Sequence, residues 1–163
     1  MKFQDGVNKF RVLSSAIVGY EYWTMDNKPV RLEQFHKDLP QDIRYDEDKP
    51  TKIKHFWAFT VWNYQENKMQ ILELTQKTIQ DQIMGLVNDE EWGDPKQYDL
   101  KVTKVGEKLE TKYTVNPSPA KELSIEIATE FTMNEPNLKA LFTNGDPFAP
   151  KNEEEVDLDN IPV

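Results

Sequence analysis

The chain has no cysteine and only two histidines among its 163 residues. The lack of cysteine excludes disulfides, zinc–thiolate sites and cysteine nucleophiles. His36 and His55 stand in no metal-type spacing with other ligands, and the acidic stretch 89–94 lacks the ligand alternation of a calcium loop. The six glycines form neither a phosphate-cradling loop nor a Gly-x-Ser-x-Gly motif. We therefore expect a protein that is not an enzyme and that holds no metal or other cofactor.

Long hydrophobic runs are also missing. No stretch approaches the roughly eighteen apolar residues that a membrane helix needs, and no apolar run follows the first five residues, so we expect no signal peptide. Charged residues make up 30% of the chain and hydrophobic residues 37%, which indicates a soluble protein with a modest core. We expect a cytoplasmic protein without membrane contact, located in the host cytoplasm if the chain is viral.

The net charge of −9 is distributed unevenly. Residues 1–80 hold twelve Lys/Arg against eleven Asp/Glu, residues 81–145 hold seven against twelve, and residues 146–163 hold one against six. The basic residues thus concentrate in the part of the chain that also carries most of the aromatic residues. A near-neutral body of this kind can present a basic groove, but its long-range attraction to nucleic acid would be weak.

The last eighteen residues, 146–163, form a proline-punctuated acidic segment that ends in Ile161-Pro162-Val163. Such a segment cannot bury enough apolar surface to fold, so we expect residues 1–145 to form one domain and residues 146–163 a disordered tail. The tip resembles the C-terminal tip of bacterial single-stranded-DNA-binding proteins. The resemblance implies that replication or recombination partners bind Asp157, Asp159, Ile161, Pro162 and Val163. The alternative is a tail that only increases solubility.

The order of predicted elements is that of the OB-fold, a five-stranded Greek-key barrel. The first strand, Lys9–Trp23, should bend at Gly19, and a helix at Thr75–Val87 should separate the third strand from the fourth. The other predicted strands are Ile53–Tyr64, Met69–Leu74, Tyr98–Lys104 and Glu110–Asn116, with a further short strand at Leu123–Ile127. The expected fold class is all-β with one or two helices, an OB-fold barrel with insertions.

The strand Ile53–Tyr64 has large apolar residues on both of its faces. Only one face of a strand can point into a barrel. The other face should expose rings to solvent, unless the loop Asp38–Pro50 covers it. Exposed rings beside lysines suit single-stranded nucleic acid, because bases stack on aromatic faces while Lys and Arg contact the phosphates.

Two motifs, KHFWAFTVWNY at 54–64 and YDLKVTKVG at 98–106, resemble phage-encoded single-stranded-DNA-binding proteins of the OB-fold, helix-destabilising type. The resemblance covers about residues 8–120 and implies sequence-nonspecific binding of single-stranded DNA in replication, recombination or repair. This chain lacks the cysteines for the zinc subdomain that some members carry, and it lacks their basic N-terminal arm. The candidate stacking residues are Tyr20, Tyr22, Trp23, Phe56, Trp57, Trp62 and Tyr64, and the candidate phosphate contacts are Arg11, Arg31, Lys52, Lys54, Lys101 and Lys104.

A second hypothesis uses the same rings in another way. An interaction or structural module, such as a virion component, would bury the exposed rings in an interface between copies of the chain. That hypothesis predicts a homo-oligomer whose assembly hides Trp57 or Trp62 without DNA.

Overall fold

A computed structural model describes residues 1–150. Within these residues the chain forms nine β-strands, seven of them in one antiparallel sheet, and two α-helices. The strands are β1 Gly6–Val12, β2 Ile17–Trp23, β3 Pro29–Leu32, β4 Tyr45–Asp46, β5 Lys49–Pro50, β6 Lys54–Asn63, β7 Lys68–Leu74, β8 Asp99–Val105 and β9 Lys112–Pro117. The helices are α1 Lys77–Val87 and α2 Ile125–Met133, with short 3₁₀ helices at Pro95–Gln97, Lys108–Glu110 and Leu138–Thr143.

The sheet is organised around β6, the longest strand. The strand order is β3-β2-β6-β1-β8-β9, with β7 on the other edge of β6, while β4 and β5 form a separate hairpin. The residues from Phe59 to Asn63 face β1 or the turn that follows it, and those from Lys54 to Ala58 pair with β2. The fold is therefore mostly β, as expected.

The expected single strand Lys9–Trp23 is interrupted, and the break lies at Ser14–Ala16 rather than at Gly19. Val12 pairs with Val61, and Ile17 pairs with Ala58. Five residue steps on the β1–β2 side thus lie opposite three steps on β6, which leaves two extra residues as a bulge. The Ser14 hydroxyl fixes the break by accepting a hydrogen bond from the Thr60 N–H at 2.9 Å. Gly19 has a different role, because a Cβ there would collide with the Leu32 carbonyl oxygen and the Phe142 ring.

The main core lies between the sheet and α1. It contains Phe10 and Val12 of β1, the odd-numbered residues 57, 59 and 61 of β6, and buried residues of β7, β8, β9 and α1. Ile79 and Ile83 lie one turn apart and place the apolar face of α1 on this core. Burial of these side chains from water is the main force that holds the layers together.

The sheet is open between β7 and β9, since no strand pairing joins them in residues 1–150. Helix α1 packs against β9 at this opening, where the Gln82 amide accepts a hydrogen bond from the Val115 N–H at 2.9 Å and donates one to the Tyr113 carbonyl at 3.0 Å. A side chain of the helix thus satisfies the backbone groups of β9 that a closing strand would otherwise pair.

The C-terminal part of the described chain differs from the prediction. The segment Leu123–Ile127, predicted as a strand, instead leads into α2, whose first turn is capped by the Ser124 hydroxyl accepting from the Ile127 N–H at 3.3 Å. Beyond α2, Leu141 of the 3₁₀ helix packs on β6 together with Phe56 and Ala58. No helix in residues 1–150 is both long and apolar enough to cross a membrane.

Candidate nucleic-acid interface

An apolar groove of about 720 Å³ opens where β1 gives way to β2 along the edge of β6. The bulge at Ser14–Ala16 forms one wall, α1 forms the opposite wall, and the loop 94–96 closes one end. Val18, Met84 and Val87 at the rim are exposed. The groove exists because the bulge moves the chain away from β6, so that α1 and the sheet do not meet there.

A row of four rings leads along the sheet into this groove. Phe35 contacts Tyr20 with ring centroids 5.4 Å apart, Tyr20 contacts His55 at 5.7 Å, and His55 contacts Trp57 edge-on at 6.1 Å. The register explains the row, since Tyr20 lies directly opposite His55 and Val18 opposite Trp57. Phe35 and His55 are exposed, Tyr20 between them is half-buried, and Trp57 is 9% exposed. The row thus runs from solvent to the core.

Trp57 is the innermost ring of the row and also lines the groove. Its indole Nε1–H has no hydrogen-bond acceptor within residues 1–150. A buried donor without an acceptor is costly, and such groups often lie where a ligand or a water binds. Beside it, the Gln80 amide joins α1 to the strands, because it donates to the carbonyls of His55 and Leu74, both at 3.0 Å.

Two further cavities of about 450 Å³ each adjoin the groove and supply lysines. One shares His55, Gln80 and Asp81 with it, and the other shares Ser14, Ser15 and Lys96. The lysines that line the three cavities are Lys52, Lys54, Lys77, Lys96 and Lys139. Two of them are paired, Lys77 with Asp81 at 2.6 Å and Lys96 with Asp94 at 3.8 Å. The three cavities share lining residues and together form a surface, called the channel below, that carries these five lysines together with Asp81, Asp94 and Glu135.

The structure brings four of the predicted site residues to this channel or to the ring row that enters it. Tyr20 and Trp57 belong to the ring row, and Lys52 and Lys54 line the cavity that adjoins His55. The start of the sequence motif KHFWAFTVWNY and the preceding Lys52 thus line one cavity together.

The prediction that Phe56 is an exposed stacking surface is wrong. Phe56 is 0% exposed and packs with Ala58 and Leu141 on the face of β6 opposite the groove, where the Arg31 guanidinium lies 5.2 Å from the ring centroid. The 3₁₀ helix Leu138–Thr143 covers this face, not the loop Asp38–Pro50. Burial of the ring removes it from solvent, and no base can stack there.

The prediction that Arg11 contacts phosphate is also wrong. Its side chain is 1% exposed, and Nε donates to Oδ1 of the fully buried Asp99 at 2.7 Å. The guanidinium also donates to the carbonyls of Lys96 and Lys121, each at 3.2 Å. Burial alone would raise the pKa of Asp99, but the hydrogen bonds from Arg11 and Tyr64 outweigh it and lower that pKa. Arg11 is therefore a structural residue.

Two other predicted residues already have partners near β2 and β3, and a third lies at the end of β2. Tyr22 is buried, and its hydroxyl donates to Asp42 at 3.0 Å. Arg31 lies between Glu21 and Glu73, at 3.1 Å from each. Trp23 is 39% exposed at the end of β2, and none of the ring-to-ring contacts in residues 1–150 joins it to the row. The predicted exposure of Tyr22 is wrong, and the two acidic residues neutralise Arg31.

The last four predicted residues in the body lie away from the channel. Trp62 of β6 is half-buried and lies directly opposite Arg11 of β1. Tyr64 is half-buried, and its hydroxyl donates to Asp99 at 2.8 Å. Burial together with this hydrogen bond raises the pKa of Tyr64 to about 12. Lys101 is exposed on β8, and Lys104 lies 3.9 Å from Asp5.

Sequence reasoning missed Phe35, His55, Gln80 and Lys96 as site residues. The pairing of Tyr20 with His55 depends on the register set by the bulge, which no pattern in the sequence announces. His55 had one usable signal, its alternation with Trp57 on the same face of one strand. Lys96 reaches the channel only because the turn 95–97 folds against β1.

No group of three or more His, Asp or Glu side chains within residues 1–150 is placed to hold a metal ion. The predicted partner-binding residues Asp157, Asp159, Ile161, Pro162 and Val163 lie outside the described residues, so their role stays a prediction from the sequence. Comparison of the chain with protein-family models, curated proteins and solved structures gives no match.

Proposed function

We propose that this protein binds single-stranded DNA without sequence preference, through the channel and the ring row that enters it. The observation that carries the proposal is the row Phe35–Tyr20–His55–Trp57, which begins at the surface and ends in an apolar groove. Bases offer flat faces of the matching size, and each base stacked on a ring contributes about 1–3 kcal/mol. The proposed role involves no chemical step.

The lysines of the channel supply the second element of such a site. Lys52 and Lys54 are exposed and lie in the cavity next to His55, and Lys96 lies at the other end of the groove. Rings that alternate with cations let a strand stack its bases while its phosphates are neutralised. Since the chain carries a net charge of −9, these local cations must supply most of the electrostatic attraction.

The pairing of five strands supports an OB-type barrel as the scaffold. In that interpretation the first strand of the barrel is β1 continued by β2, and the other four are β6, β7, β8 and β9. Helix α1 lies between the third and the fourth of these strands. OB-folds are often partly open, which agrees with the missing pairing between β7 and β9. Because Leu141 covers the outer face of β6 beside Phe56, we place the binding site in the channel and not on that face.

Fluorescence titration with oligo(dT) tests the proposal, with duplex DNA as the competing ligand. A base that binds in the groove lined by Trp57 should quench part of the tryptophan emission, and Trp57→Phe should remove that part. Tyr20→Ala and His55→Ala should each weaken binding by roughly 5- to 150-fold, the equivalent of about 1–3 kcal/mol. Phe148→Ala is the matched control, because this ring is 48% exposed but lines none of the three cavities.

Two results would contradict the proposal. One is equal affinity for single-stranded and duplex DNA, and the other is equal loss of affinity in the control and in the ring variants. If oligo(dT) causes no quenching and the protein instead forms oligomers that protect Trp57, the rings serve a subunit interface.

A further inference from the structure

The outer face of β1, β8 and β9, on the side of the sheet away from the core, is basic. The alternation of the strands places Lys9, Lys101 and Lys112 on this face, since Phe10, Leu100 and Val115 point into the core and lie one, one and three residues from them. Lys121, from the segment after β9, reaches the same face, where its Nζ lies 3.2 Å from Asp99. Four lysines thus share one surface in a chain of net charge −9.

The positive charge of this face is not balanced by the ion pairs that the structure describes. Asp99 is the carboxylate that contacts it, and Asp99 already accepts from the buried Arg11 at 2.7 Å. Lys9 and Lys121 approach the other Asp99 oxygen at 3.7 and 3.2 Å. Lys9 also lies directly opposite Lys101 in the register of β1 and β8. Like charges placed directly opposite destabilise a sheet, and a bound polyanion would relieve that repulsion.

An aromatic ring lies among these lysines. Tyr64 is half-buried, and the Nζ atoms of Lys9 and Lys121 lie 5.1 and 6.0 Å from its ring centroid. A ring flanked by two cations is the same combination that lines the channel. A bound strand would draw these ammonium groups from the ring to its phosphates, and one base could then stack on Tyr64.

The basic face adjoins one end of the channel. Lys96 lines the groove with its side chain, while its carbonyl accepts from the Arg11 guanidinium beneath the basic face. The Lys121 carbonyl accepts from the same guanidinium. A strand that leaves the groove at Lys96 can therefore pass onto the face at Lys121 without leaving the protein surface.

We propose that Lys9, Lys101, Lys121 and the Tyr64 ring form a second contact site for the single strand that occupies the channel. This inference rests on the proposed function and extends it, because it assigns the single strand a path past the C-terminal end of β1 onto the opposite side of the sheet. The ligand is the phosphodiester backbone with one stacked base, which matches the charge of the face and the presence of its ring.

Oligonucleotides of two lengths test the second site. A strand of roughly 6 nucleotides fills the channel alone, and one of roughly 16 reaches the basic face, within the site sizes known for OB-folds. Lys101→Gln/Lys121→Gln should leave the affinity for the short strand unchanged and weaken binding of the long one. The log–log salt slope for the long strand should become less negative by about 1.4, since each phosphate contact on single strands contributes about 0.7.

The double variant Lys28→Gln/Lys49→Gln is the matched control, because it removes the same charge from residues that line none of the three cavities. Unchanged binding of the long strand by the Lys101/Lys121 variant would overturn the second site, as would an equal loss in the control. An equal loss for short and long strands would overturn it too. Failure of the unaltered protein to bind either strand would refute the proposed function itself.

Discussion

The two halves of β6 carry similar residues and have different environments. Between Phe59 and Asn63 the strand faces β1 or the turn that follows it, and Phe59, Val61 and Asn63 are buried. Between Lys54 and Ala58 it pairs with β2, where His55 is exposed and Trp57 lines a groove. The difference comes from the neighbouring strands in the sheet. Beyond β1 the sheet continues with β8 and β9, whereas beyond β2 it continues only with the short β3. One strand is thus buried in the core at one end and lines a groove with His55 and Trp57 at the other.

The largest expected contrast between the halves is in stability. Phe59→Ala should lower the free energy of unfolding by about 3–5 kcal/mol, because it removes a buried ring and leaves a cavity. His55→Ala should change it by no more than about 0.5 kcal/mol, since that side chain is exposed. Urea denaturation of both variants measures the difference. Similar losses in the two variants would show that the halves are not distinct.

The stability of the half of β6 that pairs with β1 also depends on the ion pair between Arg11 of β1 and Asp99 of β8. Asp99→Asn should cost about 3 kcal/mol, because it leaves the buried Arg11 guanidinium without its counter-ion. The folded-state pKa of Asp99 is lowered, so its contribution is fully present above the ordinary pKa of an aspartate, about 3.9. That contribution is lost as the pH falls through the lower folded-state pKa.

Stability measured between pH 7 and pH 2 tests this assignment. The unaltered protein should lose stability below about pH 4, and Asp99→Asn should lose less over the same range. Asp5→Asn is the matched control, because Asp5 is exposed and its ion pair with Lys104 is long, at 3.9 Å. Parallel pH profiles for all three proteins would contradict the assignment.

The smallest effect concerns the cations beside the β2 half. Lys52→Gln and Lys54→Gln should leave stability unchanged, and each should make the salt slope of oligo(dT) binding less negative by about 0.7. Affinities measured at several salt concentrations give this slope. Lys28→Gln serves as the control. A slope that is the same in all four proteins would place the phosphates elsewhere.

Local patterns predicted most of the elements around β6. Alternation and β-branched residues indicated β6, β7, β8 and β9, and the helical spacing of Ile79 and Ile83 indicated α1. The segment Leu123–Ile127 was assigned wrongly, because five mixed apolar residues fit a strand and the first turn of a helix equally well. The Ser124 cap and the contacts of Ile127 decide for the helix.

The candidate site was predictable only in part. Tyr20, Trp57, Lys52 and Lys54 were expected at a surface that holds rings and cations, and they lie along the channel or the row that enters it. Phe56 and Arg11 were expected beside them for the same reasons, because their residue types suit bases and phosphates. The sequence does not record that Leu141, more than eighty residues away, covers one of them, or that Asp99 neutralises the other.

The amino-acid sequence by itself determined the composition limits, the strands and the first helix, because these depend on residue types and on periods of two or 3.6 residues. The tertiary structure decided which face of β6 is covered and where the bulge at Ser14–Ala16 opens a groove. It also decided which cations pair with carboxylates, as Arg11 does with Asp99 and Arg31 with Glu21. Those properties depend on contacts between residues far apart in the chain, and such contacts leave no local pattern.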